Sequence, residues 1–193
     1  MIINSGETIF VEKYRPKTLN DIILPKDLKE SIREWIDNDD IPNILLVSKV
    51  PGLGKSTLAH VLINETGADS LFINISLNGN IDTLRGKIQG FVSTTGFENK
   101  HKIIVLDEFD GASQQLQKAL RGFTEEFSKS ARFILTANYK EKIIEPLLNR
   151  LQIFDFDKIF ASKENRKELL QQTFNRLRDI LDNEEIEYIL SKC

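Results

Sequence analysis

A short apolar run, Ile44-Leu45-Leu46-Val47, is followed by Pro51-Gly52-Leu53-Gly54-Lys55-Ser56-Thr57, and the chain then places Leu58, Ala59, Leu62 and Ile63 at helical spacing. The pattern predicts a buried strand, a glycine-rich turn and a helix over Lys55 to Glu65, with Gly67 in the usual stop position. Few arrangements constrain a fold more. Glycines let successive backbone N–H groups converge on one point, and the helix that follows adds a partial positive charge of about +0.5 at its start. The loop is therefore read as a phosphate cradle of the P-loop type, with Gly52, Leu53, Gly54, Lys55, Ser56 and Thr57 around the anion. Lys55 would pair with the β- and γ-phosphates of a nucleotide, and the Ser56 hydroxyl would be a hard oxygen ligand for Mg²⁺. The position that a complete pattern reserves for its first glycine holds Lys49, so the backbone conformation there is open. The competing reading is an ordinary glycine-rich βα turn.

The rest of the chain repeats the alternation. Strands are predicted at Leu71–Asn74, Ile103–Leu106, Phe133–Thr136 and Leu151–Phe154, with helices over 81–92, 113–127 and 143–148 between them. That is an α/β pattern with five parallel strands. Ile103-Ile104-Val105-Leu106 leads directly into Asp107-Glu108-Phe109-Asp110. Carboxylates at the end of a buried strand are costly unless they serve an ion or a water. In a nucleotide hydrolase of this design Asp107 would hold Mg²⁺ and Glu108 would polarise the attacking water. Asp110 is read as a solvated turn residue capping the next helix. From Ser162 onward the pattern is helical, with Leu169, Phe174, Leu177, Ile180 and Leu181 on one helix and Ile186, Ile189 and Leu190 on a second.

Composition closes off other classes. The 193 residues fit one full domain and a small appendage, and 40% hydrophobic with 28% charged residues describes a chain that buries a core. The net charge of -3 supplies no global field for nucleic acid. A single cysteine, Cys193, excludes a disulfide scaffold. Trp35 is expected in the core, and His60 and His101 lack ligand-spaced partners. With no signal-like N-terminus and no long apolar run, a cytoplasmic protein without a membrane segment is expected.

Together these features resemble the AAA+ ATPase superfamily, and within it the sliding-clamp loaders of DNA polymerases, above all the large subunit of the tailed-phage branch. Val11-Glu12-Lys13-Tyr14-Arg15-Pro16-Lys17-Thr18-Leu19 is similar to the clamp-loader signature ahead of the P-loop. The resemblance implies that Val11, Tyr14, Arg15 and Pro16, with Ile23 beyond them, lie along the adenine. Pro16 fixes its own φ and forces Arg15 extended. Leu135-Thr136-Ala137-Asn138 is similar to sensor 1, which makes Asn138 the amide facing the γ-phosphate or the attacking water; a turn asparagine is the plainer alternative. Arg150, in Leu148-Asn149-Arg150-Leu151, stands where the family carries an arginine finger acting in trans on the neighbouring subunit's ATP; a surface salt bridge is the alternative. Gln117-Lys118-Ala119-Leu120-Arg121 and Ile81-Asp82-Thr83-Leu84-Arg85 resemble segments that face partner subunits and DNA. Arg85, Lys87, Lys118 and Arg121 are then candidates for phosphate contact, or else solvated helix faces.

The resemblance implies a three-layer AAA+ P-loop domain over 1–160 and part of a helical lid over 161–193, before a sensor 2 arginine or a collar. Such a chain would be expected to assemble and hydrolyse weakly alone. It further implies ATP and Mg²⁺ as cofactors, and other clamp-loader subunits in a ring, a sliding clamp and primer–template DNA as partners, in the host cytoplasm if phage-encoded. A nucleotide-binding scaffold without efficient turnover and a helicase loader are the competing readings.

Overall fold

A computed structural model of the chain describes residues 15–77, 80–94 and 102–180. Helix α1, Lys26–Asp37, precedes β1, Ile44–Val47, whose four residues are all buried. Then follow α2, Lys55–Thr66; β2, Ser70–Asn74; α3, Ile81–Ser93; and β3, Lys102–Asp107. A 3₁₀ turn at Phe109–Gly111 leads to α4, Gln114–Glu126, and β4, Ala131–Ala137. Past a second 3₁₀ turn, Lys140–Lys142, the chain forms α5, Glu145–Leu148; β5, Gln152–Asp155; α6, Phe156–Ala161; and α7, Lys163–Ile180.

The five strands form one parallel sheet in the order β2-β3-β4-β1-β5. Alternation along each strand divides its side chains between two cores. Leu45 and Val47, Ile104 and Leu106, and Phe133 and Leu135 face one side, where α3 and α4 cover them with Leu84, Ile88, Leu116, Leu120 and Phe123. Ile44 and Leu46, Ile103 and Val105, and Ile134 face the other, covered by Ile32 of α1, Leu58, Val61 and Leu62 of α2, and Phe156 of α6. The apolar runs are continuous because both faces of the sheet are covered. Each fully buried aliphatic or aromatic side chain here contributes about 1.5–3 kcal/mol relative to exposure.

Three strands start earlier than the apolar runs suggest, β2 at Ser70, β3 at Lys102 and β4 at Ala131, and for β3 and β4 the cause is chemical. Lys102 is buried because its ammonium donates to the Phe91 carbonyl at 2.7 Å near the end of α3. Arg132 enters β4 by donating from Nε to the Ile41 carbonyl at 2.6 Å. Trp35 is half-buried rather than fully so, edge-on to Phe154 at 5.8 Å.

Helix α7 docks through a side-chain amide. Gln172 donates from Nε2 to the Leu24 carbonyl at 2.8 Å and accepts the Leu24 N–H at 3.3 Å, as a neighbouring strand would. Arg176 pairs with Asp21 at 3.5 Å beside it. The second expected helix, with Ile186, Ile189 and Leu190, lies outside the described residues, as do Leu181, His101 and Cys193.

Candidate functional site

The C-terminal ends of β1, β3 and β4 converge on a cleft of about 530 Å³. Sites in parallel sheets form at this edge because the loops leaving neighbouring strands diverge there. β1 delivers the glycine turn. Gly52 sits at φ 82° and Gly54 at φ 93°, left-handed values that the glycines accept without a Cβ penalty. Gly54 is also the N-cap of α2, so that helix opens onto the cleft.

Lys49 adopts no such conformation. Among the described residues only Asp39 and Glu108 are non-glycine residues at positive φ, so a lysine meets the backbone demand where the complete pattern has its first glycine. It is also tied down. The Lys49 N–H donates to Asp157 Oδ2 at 2.8 Å, and its ammonium lies 3.2 Å from Glu141 in a solvent-exposed pair of little energetic weight. Asp157, on α6, accepts the hydroxyl of the fully buried Ser48 as well, at 2.7 Å. These hydrogen bonds, from Lys49 first and then Ser48, hold the Asp157 carboxyl below its ordinary 3.8. A depressed folded value means that the stabilisation is complete above the ordinary value and is lost as pH falls through the folded one. Asp157→Ala is therefore expected to lower stability by about 1–2 kcal/mol, measured by urea unfolding at neutral pH. The gap between parent and variant should close in acid.

Lys55 is brought to Asn138. Its ammonium donates to the Ser48 carbonyl at 2.9 Å and to Asn138 Oδ1 at 3.0 Å. Burial pushes the Lys55 pKa down, against the opposing pull of Asp157, Asp110 and Asp107. The cation thus stands ahead of a carboxylate cluster, at the N-terminus of a helix. Ser56 and Thr57 also line the cleft, on the first turn of α2.

From β3 come the two adjacent acids. The Thr136 hydroxyl of β4 donates to Asp107 Oδ1, and Thr136 Oγ1 in turn accepts the Glu108 N–H at 3.1 Å. Glu108 itself is at φ 55°, in the left-handed region. Asp110 corrects the expectation made of it. The cap of α4 is Ser113, whose hydroxyl oxygen accepts the Leu116 N–H, whereas Asp110 Oδ1 accepts the Asn138 N–H at 3.2 Å. The third acid of the motif thus fixes the backbone of the asparagine instead of beginning the next helix.

Of the residues singled out from the sequence, the cleft is lined by Arg15, Pro16, Gly52, Gly54, Lys55, Ser56, Thr57, Asp107, Glu108 and Asn138. Leu53 packs against the core beneath the loop. Ile23 is half-buried beside Asn20, Lys29, Gln172 and Arg176, not among the residues lining the cleft. Val11 and Tyr14 lie outside the described residues. Arg150 is away from its own chain's cleft, pairing with Glu125 and donating to the Pro146 carbonyl at 2.9 Å. Arg85 pairs with Glu126 at 3.2 Å and lies over the Phe123 ring, while Lys87, Lys118 and Arg121 are exposed on α3 and α4. Gln117 is buried and links α4 to the next segment, donating to the Lys142 carbonyl at 2.9 Å and accepting the Ile144 N–H at 2.8 Å.

Sequence reasoning missed Ser48, Thr136 and Asp157 as parts of the site. Thr136 carried a faint signal as a polar residue inside an apolar run. Asp157 carried none, since only the sheet order brings α6 to the loop after β1.

The donor set suits a hard cation. A serine hydroxyl and an aspartate carboxylate facing a phosphate cradle match Mg²⁺, which takes oxygen ligands and keeps several waters. Among the described residues no group of three or more His, Cys, Asp or Glu side chains forms a metal site of its own. None of the described helices is long and apolar enough to cross a membrane.

Residues 45–156 match the profile of the "ATPase family associated with various cellular activities (AAA)". The sliding-clamp-loader large subunit of Escherichia phage RB69 is 37% identical over 186 residues, spanning 96% of this chain and 57% of that protein. The replication factor C small subunit of Aeropyrum pernix is 36% identical over 188 residues, spanning 94% of this chain and 55% of its own length. The chain therefore spans little more than half the length of these curated relatives. In three dimensions it superposes on the Thermotoga maritima RuvB Holliday junction branch migration motor with a TM-score of 0.62 at 19% identity, covering 82% of this chain and 53% of that one. This likeness concerns the fold.

Proposed function

The chain belongs to the AAA family of ATPases, and on that premise we propose that it is the ATPase subunit of a sliding-clamp loader, binding ATP with Mg²⁺ and hydrolysing it to place a clamp on primer–template DNA. One observation carries the reading: the glycine turn with Lys55 and Ser56 faces Asp107, Glu108 and Asn138 across a single cleft.

Each residue has a task its chemistry suits. The loop amides and the Lys55 ammonium take the triphosphate oxygens. Ser56 and Asp107 would hold Mg²⁺, which when bound would supply positive charge against the phosphates. Glu108 orients a water for in-line attack on the γ-phosphorus and accepts its proton. The bond to the bridging oxygen breaks, and the electron pair leaves with ADP. Asn138, held through its N–H by Asp110, presents its amide to the γ-phosphate or to that water. Arg15 and Pro16, at the cleft wall, belong to the strap for the base, to which the resemblance also assigns Val11 and Tyr14; Ile23, away from the cleft, drops out of it.

Assembly into a ring fits the position of Arg150, which is not among the described residues lining its own chain's cleft. Arg150 faces away from its own cleft and would act in trans on the ATP of the next subunit in a ring, exchanging Glu125 for phosphate. Arg85, Lys87, Lys118 and Arg121 line two adjacent helices, and their cationic ends are candidates for DNA phosphate contacts. The domain would span 1–160, with the lid beginning at 161. Replication in the cytoplasm, that of the host if the chain is phage-encoded, is the setting that fits.

Phosphate release by the chain, assembled with partner clamp-loader subunits, a phage sliding clamp and primer–template DNA, is expected to rise several-fold over that of the same subunits without clamp and DNA. A rate indifferent to both would sink the clamp-loader reading and leave only an ATPase. The 37% identity to a phage clamp-loader large subunit favours this role over a scaffold or a helicase loader.

A further inference from the structure

We propose that Thr136 is a positioning residue for hydrolysis: its one hydroxyl sets both acids of the cleft at once, donating to the Asp107 carboxylate and accepting the backbone N–H of Glu108. The proposal rests on the roles given above to those two acids.

A hydroxyl has one proton and two lone pairs, and Thr136 uses it in both directions. Oγ1 donates to Asp107 Oδ1 and accepts the Glu108 N–H at 3.1 Å. The residue is 3% exposed and lines the cleft, so water does not readily substitute for the side chain.

The two bonds have separate consequences. Holding Oδ1 fixes the plane of the Asp107 carboxylate and leaves Oδ2 for a cation. Holding the Glu108 N–H secures a backbone at φ 55°, a sparsely populated conformation for a residue with a Cβ, which persists only where the surroundings determine it. With that amide anchored, the Glu108 carboxylate leaves the strand end in a direction set by the fold. The register explains why this residue does it. β4 lies between β1 and β3, with Leu135 opposite Leu106 and Thr136 opposite Leu46. Thr136 is thus one step beyond the last paired residue of β3, beside the acids, and on the strand that carries Asn138. Metal-site ligands are commonly oriented in this way by a second layer of hydrogen bonds.

Thr136→Val deletes donor and acceptor while keeping the shape, and Thr136→Ser keeps both. The assays are ATP affinity of the full chain by calorimetry, with and without Mg²⁺, and single-turnover phosphate release with protein in excess. Without Mg²⁺ the three chains should bind ATP alike, because Lys55 and the loop amides are untouched. With Mg²⁺, the affinity gained by the parent should shrink about tenfold in Thr136→Val, phosphate release should fall about 10–100-fold, and Thr136→Ser should restore both. A Thr136→Val chain matching the parent in both readouts overturns the proposal, as does a serine variant failing equally. Loss of Mg²⁺-free binding in Thr136→Val would assign the residue to packing and overturn it too. Failure of the underlying roles looks different: Asp107→Asn and Glu108→Gln would then be indistinguishable from the parent in these assays.

Discussion

Lys55→Ala is expected to abolish measurable ATP binding at micromolar nucleotide while the protein stays folded. The ammonium lies in the cleft, donating to the Ser48 carbonyl and Asn138 Oδ1, and burial lowers its pKa against the opposing pull of Asp157, Asp110 and Asp107. Each charge-assisted hydrogen bond to a phosphate oxygen is worth about 1.5–3 kcal/mol. Two such bonds lost therefore weaken binding by about 100-fold or more. The measurement is calorimetric titration of ATP into parent and variant, with cooperative thermal unfolding as the control for folding. Unchanged affinity would remove the phosphate cradle, and with it every role assigned to the cleft.

The second large effect separates binding from chemistry. Glu108→Gln keeps the size of the side chain and the anchored N–H, so ATP should bind as tightly as in the parent. The amide cannot accept a proton from water, and single-turnover phosphate release should fall by about 10²–10⁴-fold. Rates equal to the parent's would reassign the catalytic base. Asp107 is the first place to look, because its carboxylate lines the same cleft. The two variants thus form a pair: Lys55→Ala fails before binding, and Glu108→Gln fails after it.

Much of the fold was legible because local rules and the global architecture agree. Ile44–Val47 is apolar throughout and flanked by turn residues, and the strand has those bounds. Gly54 and Gly67 bracket α2 because left-handed φ is needed at both ends of that helix. The departures come from buried cations. Lys102 and Arg132 read as loop residues, yet each enters a strand because a carbonyl elsewhere in the chain accepts a hydrogen bond from its side chain. No local pattern announces such a partner. Asp110 was misread for a related reason, since a carboxylate near a helix start usually caps it, and here the serine at 113 does so instead.

By itself the sequence determined the phosphate-binding turn, the acidic strand end, the parallel α/β plan and the kinship, because each is written in neighbouring residues or in a short period. The order of the strands was decided only by the tertiary structure. Placing β4 between β1 and β3 brings Asn138 against Lys55, Thr136 between the two acids, and Asp110 onto the Asn138 backbone. Likewise, seating β5 beside β1 carries Asp157 to the turn that holds Lys49. These contacts join residues far apart along the chain, and their directions depend on sheet register, which arises from packing both faces at once rather than from any single segment.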